Sequence, residues 1–182
     1  MSVEGVPSRR FIRNRAVLLT VLAALVGSVT ASDKVARTEQ VETRFGPVSF
    51  GLTGENWPGT AFIRFKGKPL LDESTSGWGV YMVGRYALPE GEVLFFQIQQ
   101  GTACPWPLWL LKIDKRGKAT LSDSFGACGE ATIRRTGDEL IIETPGACHA
   151  IDEQDELDAC NESLRRDYSY RNGRLEEILR GK

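Results

Sequence analysis

One histidine, four cysteines, an acidic run and four tryptophans are the residues of this chain whose types could do chemistry. Catalytic triads and zinc sites both lean on histidine, so a lone His149 removes most of that chemistry. It stands between Cys148 and an acidic stretch and reads as a solvated loop residue. No Gly-x-Ser-x-Gly elbow is present, and no Cys-x-x-Cys spells out a redox motif or a zinc knuckle. Asp152, Glu153, Asp155, Glu156 and Asp158 bring together the oxygen ligands that calcium prefers. The run lacks the glycine and the ligand spacing of an EF-hand loop. A charged helix face, with acids at the positive N-terminal end of the dipole, fits it better. Paired carboxylates could hydrolyse a glycoside, and acids are plentiful, but no local pattern puts two of them in one cleft. No catalytic residue, metal ligand or cofactor is therefore expected.

The tryptophans are the remaining lead, because exposed aromatics dominate binding energetics. Trp109 lies in an apolar run and is expected in the core, and Trp106 flanks a cysteine. Trp57, in Glu-Asn-Trp-Pro-Gly, is the best candidate for exposure. Trp57 and Trp78 are taken as the candidate binding surface.

The N-terminus states where such a surface would work. Arg9, Arg10, Arg13 and Arg15 form a basic region, Ala16 to Val29 is uncharged and apolar, and Val29-Thr30-Ala31 offers small residues for cleavage. A spanning helix needs about 20 apolar residues; this run is shorter and ends against Asp33 and Lys34. The segment 1–31 is expected to be a cleaved signal peptide, and no cysteine follows it to carry a lipid. Ser8-Arg9-Arg10 is similar to a twin-arginine signal, but Phe11-Ile12-Arg13 is out of step with one. The destination expected is the periplasm or the medium, without membrane insertion after cleavage.

Charge follows from that division. The chain has 23 Lys+Arg and 24 Asp+Glu; residues 1–31 hold four Arg and one Glu, leaving 19 against 23, a balance of −4. An acidic domain does not suit a phosphate backbone or an anionic membrane surface. The remaining length, about 150 residues, is that of one domain able to bury a core. Residues 32–40 read as a flexible polar lead-in, and 41–182 as a single disulfide-stapled domain.

All four cysteines lie in that domain, and an even count in an exported chain is read first as disulfides. Cys104, Cys128, Cys148 and Cys160 allow three pairings. Joining chain neighbours favours Cys104–Cys128 and Cys148–Cys160, the second closing a polar loop. Each closure is worth about 3 kcal/mol by loop entropy where geometry is unstrained.

The elements that must position these residues are mostly short strands between turns. They are expected over Thr43–Gly51, Thr60–Phe65, Pro69–Leu71, Gly79–Tyr86, Glu92–Gln99, Leu108–Ile113, Lys118–Ser122, Ala131–Arg135 and Glu139–Thr144. In Glu92–Gln99, Leu94, Phe96 and Ile98 share one face, and Val93, Phe95, Gln97 and Gln99 the other. Tyr168–Arg171 and Arg174–Ile178 flank Asn172-Gly173, the strongest hairpin signal in the chain. Only Asp152–Arg165 looks helical. The expected fold is mainly β: an antiparallel β-sandwich or open barrel of about eight to ten strands, with one short peripheral helix near the C-terminus.

Gly101-Thr-Ala-Cys104-Pro105, followed by a strand, a turn and Asp123-Ser-Phe-Gly-Ala-Cys128, resembles a pattern in uncharacterised small periplasmic proteins of bacteria. Their core reads Gly-x-x-Cys-Pro … Phe-Gly-x-Cys, and Tyr168 to Leu175 also looks like theirs. The likeness spans about two-thirds of the domain. It implies a Cys104–Cys128 bridge and structural roles for Gly126 and Pro105, and it carries no activity.

Export, small size, disulfides and the missing catalytic signatures lead to one expectation. It is a non-enzymatic domain binding a protein partner in the cell envelope, inhibitor- or immunity-like. The alternatives are a small-ligand or glycan-binding β domain and a hydrolase with an unrecognised carboxylate pair.

Overall fold

A computed structural model of the chain describes residues 35–55, 57–101, 106–148 and 153–179. The signal peptide expected over 1–31 lies outside the described residues. Three antiparallel sheets account for nearly all of the structure. The first holds β1 (Val35–Thr43), β2 (Gly46–Thr53), β3 (Gly59–Phe65) and the two-residue pieces β4 (Lys68–Pro69) and β5 (Ser76–Gly77). β6 (Gly79–Leu88), β7 (Gly91–Gln99), β8 (Leu108–Asp114) and β9 (Ala119–Leu121) form the second. β10 (Thr132–Thr136), β11 (Glu139–Thr144), β12 (Arg166–Arg171) and β13 (Arg174–Glu177) form the third, with α1 (Gln154–Ser163) inserted before β12.

The fold is mainly β, with one short helix near the C-terminus and sheets that do not close into a barrel. The arrangement is a stack of three layers. Val48, Phe50 and Leu52 of β2 pair directly with Phe65, Ile63 and Ala61 of β3 and point at the second sheet. Leu94, Phe96 and Ile98 of β7 meet them there, joined by Trp109, Leu111 and Ile113 of β8. The alternate residues Val93, Phe95, Leu108 and Leu110 face the third sheet and pack on Leu140, Ile142 and Tyr170. β7 is therefore covered on both faces, and eight of its nine residues are buried. The two-face alternation expected for this strand is present, and each face has its own core.

β1 is the element that the polar lead-in expected over 32–40 conceals. Val35–Thr43 pairs with β2 along its length, and its side chains at 37–40 are exposed. An edge strand with one solvated face has no apolar alternation to announce it, and charged residues there deter edge-to-edge association. β5 is too short for any local pattern. α1 begins at Gln154 rather than Asp152, buries no residue, and carries Asp155 and Glu156 in its first turn. Asn172 (φ 52°) and Gly173 (φ 78°) both take the left-handed conformation that a type I′ hairpin requires.

Polar groups tie the layers together where apolar contact ends. Glu92, at 1 % exposure, accepts from Arg85 of β6 and from the backbone N–H of Arg44 at 3.0 Å, in the turn after β1. The Thr144 hydroxyl donates to the Arg166 carbonyl (2.5 Å) and accepts from the Ala127 N–H (2.9 Å). Tyr170 is different: among the described residues its buried hydroxyl has no partner. Burial, with the negative charge of Glu90 nearby, pushes its pKa from 10.0 up to about 12. Unfolding restores the ordinary value, so above pH 10 the unfolded chain releases this proton first, and stability falls as pH rises. Tyr170→Phe is expected to stabilise the protein by about 1 kcal/mol at neutral pH, since it deletes an unsatisfied group. It should also flatten the alkaline decline in urea unfolding measured up to about pH 11. Destabilisation at neutral pH would show that the hydroxyl is satisfied after all.

Candidate functional site

The two tryptophans singled out in the sequence leave the same end of one strand pair. β3 and β5 pair antiparallel, with Gly59 opposite Gly77. Trp57 precedes the first of these residues by two positions, and Trp78 follows the second by one. Both are exposed, Trp57 at 70 % and Trp78 at 47 %. The backbone of Trp78 is fixed by its N–H, which donates to the Gln99 carbonyl at 2.6 Å and so joins the first sheet to the second. Trp109 is in the core, as its apolar surroundings indicated.

Trp106 belongs to neither group. It is half-buried, and its ring meets that of Tyr81 at 5.6 Å with a 56° tilt. Tyr81 can lie along its strand because position 79 is glycine: a Cβ there would come within 2.5 Å of the Tyr81 ring. Gly84 and Tyr86 repeat the arrangement, with the Tyr86 ring 2.7 Å from where a Cβ on Gly84 would stand. The tyrosine at 81, Met82 and Val83 form one wall of a cleft with a volume of about 510 Å³, which Trp106, Glu130 and Ala131 complete.

Gln97 makes the floor of this cleft. Its amide Nε2 donates to the carbonyls of Trp106 (3.0 Å) and Gly129 (3.1 Å), and its Oε1 accepts from the Ala131 N–H (3.4 Å). A buried glutamine on β7 thus holds both the residue after the 102–105 segment and the approach to β10. The guanidinium of Arg37 stacks over the Tyr81 ring at 5.7 Å and is ion-paired to Glu39 at 2.6 Å. Tyr81, Met82 and Glu130 were not evident as site residues. The repeated Gly-x-Tyr, at 79–81 and 84–86, is the one local sign that an aromatic ring lies flat on the strand.

Carboxylates elsewhere serve the fold. Asp114 lines an open depression with Glu90, but it accepts the N–H groups of Lys118 and Arg116 in its turn, which holds its pKa below the usual carboxylate value. Asp72 is likewise lowered, by the backbone N–H of Ser74. Glu90 Oε1 accepts from the Gly173 N–H at 3.1 Å. The lowered pKa values of Asp114 and Asp72 keep these two carboxylates ionised, which does not suit a general acid. Among the described residues no cluster of His, Cys, Asp and Glu could hold a metal ion, and no helix is long and apolar enough to cross a membrane.

Cys148 and Cys160 form a disulfide that straps α1 to the end of the third sheet, with Cα atoms 6.1 Å apart. Asn161 reinforces the strap by accepting the Cys148 N–H at 2.7 Å. Cys128 is disulfide-bonded; Cys104 lies outside the described residues, and with it the expected pairing. His149 and Asp152 lie outside them as well. Glu153, Asp155, Glu156 and Asp158 are exposed on or beside α1.

No family model matches this chain, and no curated protein or solved structure is significantly similar to it.

Proposed function

We propose that this is a non-enzymatic domain of the cell envelope, exported to the periplasm or beyond, which binds a protein partner. The observation that carries the reading is the presentation of Trp57 and Trp78, both solvent-exposed, at one end of the β3–β5 pair. Burying large aromatics that folding leaves in water is the usual source of interface hot spots. The basic and then apolar N-terminal segment and the Cys148–Cys160 disulfide support export to an oxidising compartment. An inhibitor or immunity-type protein has this form: small, stapled and acidic.

The test is affinity capture from an envelope extract, run in parallel with wild type and with Trp57→Ala/Trp78→Ala. Both side chains are exposed, so the double variant should keep its stability within about 0.5 kcal/mol per site. One protein recovered stoichiometrically by wild type and reduced at least about tenfold by the variant would fit hot-spot truncation. Equal recovery by both proteins would remove this surface from the interaction, and glycan-array binding with no protein recovered would replace the reading.

A further inference from the structure

Six tight turns of this domain lie at the same end of the stacked sheets. β1–β2 turns between Thr43 and Gly46, and β3–β4 turns beside it, because Val48 pairs with Phe65. The Arg44 guanidinium reaches the Gly91 carbonyl of the β6–β7 turn at 2.5 Å, and Gly91 pairs with Asp114 at the β8–β9 turn. Arg135, just before the β10–β11 turn, donates to the Ala87 carbonyl at 3.2 Å. The Gly173 N–H of the β12–β13 turn donates to Glu90 at 3.1 Å.

That end is basic, although the domain is acidic. Residues 42–47, 64–69, 87–92, 113–120, 135–140 and 170–175 hold ten Lys and Arg against six Asp and Glu, and the rest of 32–182 holds nine against 17. Lys66, Lys68, Lys115, Arg116, Arg171 and Arg174 are exposed there, and none makes an ion pair among the described residues. Of the acids between them, Glu92 pairs with Arg85 and Asp138 with Arg135, while Glu42, Glu90, Asp114 and Glu139 accept N–H or O–H groups. Arg171 stands opposite Arg174 across its hairpin, a like-charge pairing that costs stability until an anion bridges it.

The far end is the counterpart. α1 joins β11 to β12 there, and residues 153–162 carry five acids and no Lys or Arg. Trp78, bonded to Gln99 at the end of β7, belongs to that end too. β7 has nine residues and so spans about 30 Å, several times the Debye length of about 8 Å at physiological salt. An anion at the hairpin end therefore meets the local charge, and the overall acidity is an average over two unlike ends. A protein interface is built on aromatics and depleted of lysine, and single-stranded nucleic acid stacks on exposed rings. None of the exposed large hydrophobic side chains lies at the hairpin end. A layer of lipid phosphates asks only for many cations facing one way on flexible stems.

We infer that the hairpin end docks on an anionic membrane surface, held by lipid phosphate groups without insertion, so that Trp57 and Trp78 face away from the bilayer. This is a second surface, beyond the protein-binding reading, and it does not use the tryptophans.

The experiment is sedimentation of the processed protein with vesicles of mixed phosphatidylcholine and phosphatidylglycerol, and with vesicles of phosphatidylcholine alone. Binding is expected to the mixed vesicles only, and should be lost as salt rises from about 0.1 M to about 1 M and the Debye length contracts. A Lys or Arg near such a surface is worth about fivefold in affinity, so Lys115→Gln/Arg116→Gln and Arg171→Gln/Arg174→Gln should each bind about 25-fold more weakly. Unchanged urea midpoints show that these variants are folded. Asp155→Asn/Glu156→Gln alters the net charge by as much at the far end and should leave binding within about twofold of wild type, as should Trp57→Ala/Trp78→Ala. Equal binding to both kinds of vesicle, no binding in low salt, or full binding by the hairpin variants would overturn the inference. So would a gain from the α1 substitutions as large as the hairpin losses, since net charge would then be in control. Tighter binding of duplex DNA or polyglutamate than of the mixed vesicles would assign this end to nucleic acid or to an acidic protein instead. Partner capture through Trp57 and Trp78 is read separately, so either result can fail without the other.

Discussion

Replacing Phe95 or Phe96 with alanine, one at a time, is expected to cost about 3–5 kcal/mol in each case. These residues are adjacent on a strand, so their rings point in opposite directions. In a two-layer sandwich one of the pair would face water, and its loss would be mild. Here Phe96 packs into the first core, 5.1 Å from the ring of Phe50, and Phe95 into the second, 6.1 Å from that of Tyr86. Both are fully buried. Urea unfolding of the two variants measures the cost directly. A difference between them of more than about 2 kcal/mol would mean that one face of β7 is not truly covered. Since a domain of this size has a total stability of about 5–15 kcal/mol, either change should lower the midpoint steeply.

Gln97→Leu is expected to destabilise by about 3 kcal/mol or more, although leucine is close in size and more apolar. The substitution strands three backbone groups, the carbonyls of Trp106 and Gly129 and the N–H of Ala131, in or beside the core. Each buried group left without a partner costs about 1–3 kcal/mol, more than the gain from a larger apolar side chain. The change would also release Trp106 from its tether and open the cleft against Tyr81. Red-shifted tryptophan emission below the unfolding transition would report that release. Stability within about 0.5 kcal/mol of wild type would show that water or repacking satisfies all three groups.

These two neighbouring positions mark the boundary of what can be read from residue order. The alternation of Leu94, Phe96 and Ile98 against Val93, Phe95 and Gln97 is visible in the sequence, because side chains on a strand change face at every step. That both faces are covered, each by a different sheet, is a fact of long-range pairing with no local signature. Gln97 looks like a polar residue on a solvated face, and it is instead the buried link between β7, Trp106 and Ala131. Glu92 shows the same limit: nothing nearby in sequence says that Arg44, 48 positions earlier, will meet it.

The candidate site divides in the same way. Trp57 was recognisable as an exposed candidate because it stands in the turn-like Glu-Asn-Trp-Pro-Gly stretch, ahead of the strand that begins at Gly59. That Trp78 leaves the same end of the same pair depends on the register of β3 against β5, a strand of only two residues. The cleft was not legible. It needs Tyr81, Trp106 and Glu130, which are brought together from three segments by a hydrogen-bonded glutamine on a fourth.

By itself, the sequence determined the mainly β class, most strand positions, the late peripheral helix and the Asn172-Gly173 turn, and it favoured the Cys148–Cys160 pair among three possible pairings. These follow from backbone preferences and near-neighbour patterns that act over a few residues. The stacking of three sheets, the edge strand β1 and the joining of two aromatic rings with an unpaired carboxylate were decided only by the tertiary structure. Those depend on which distant surfaces exclude water together, and burial of that kind is a property of the whole chain.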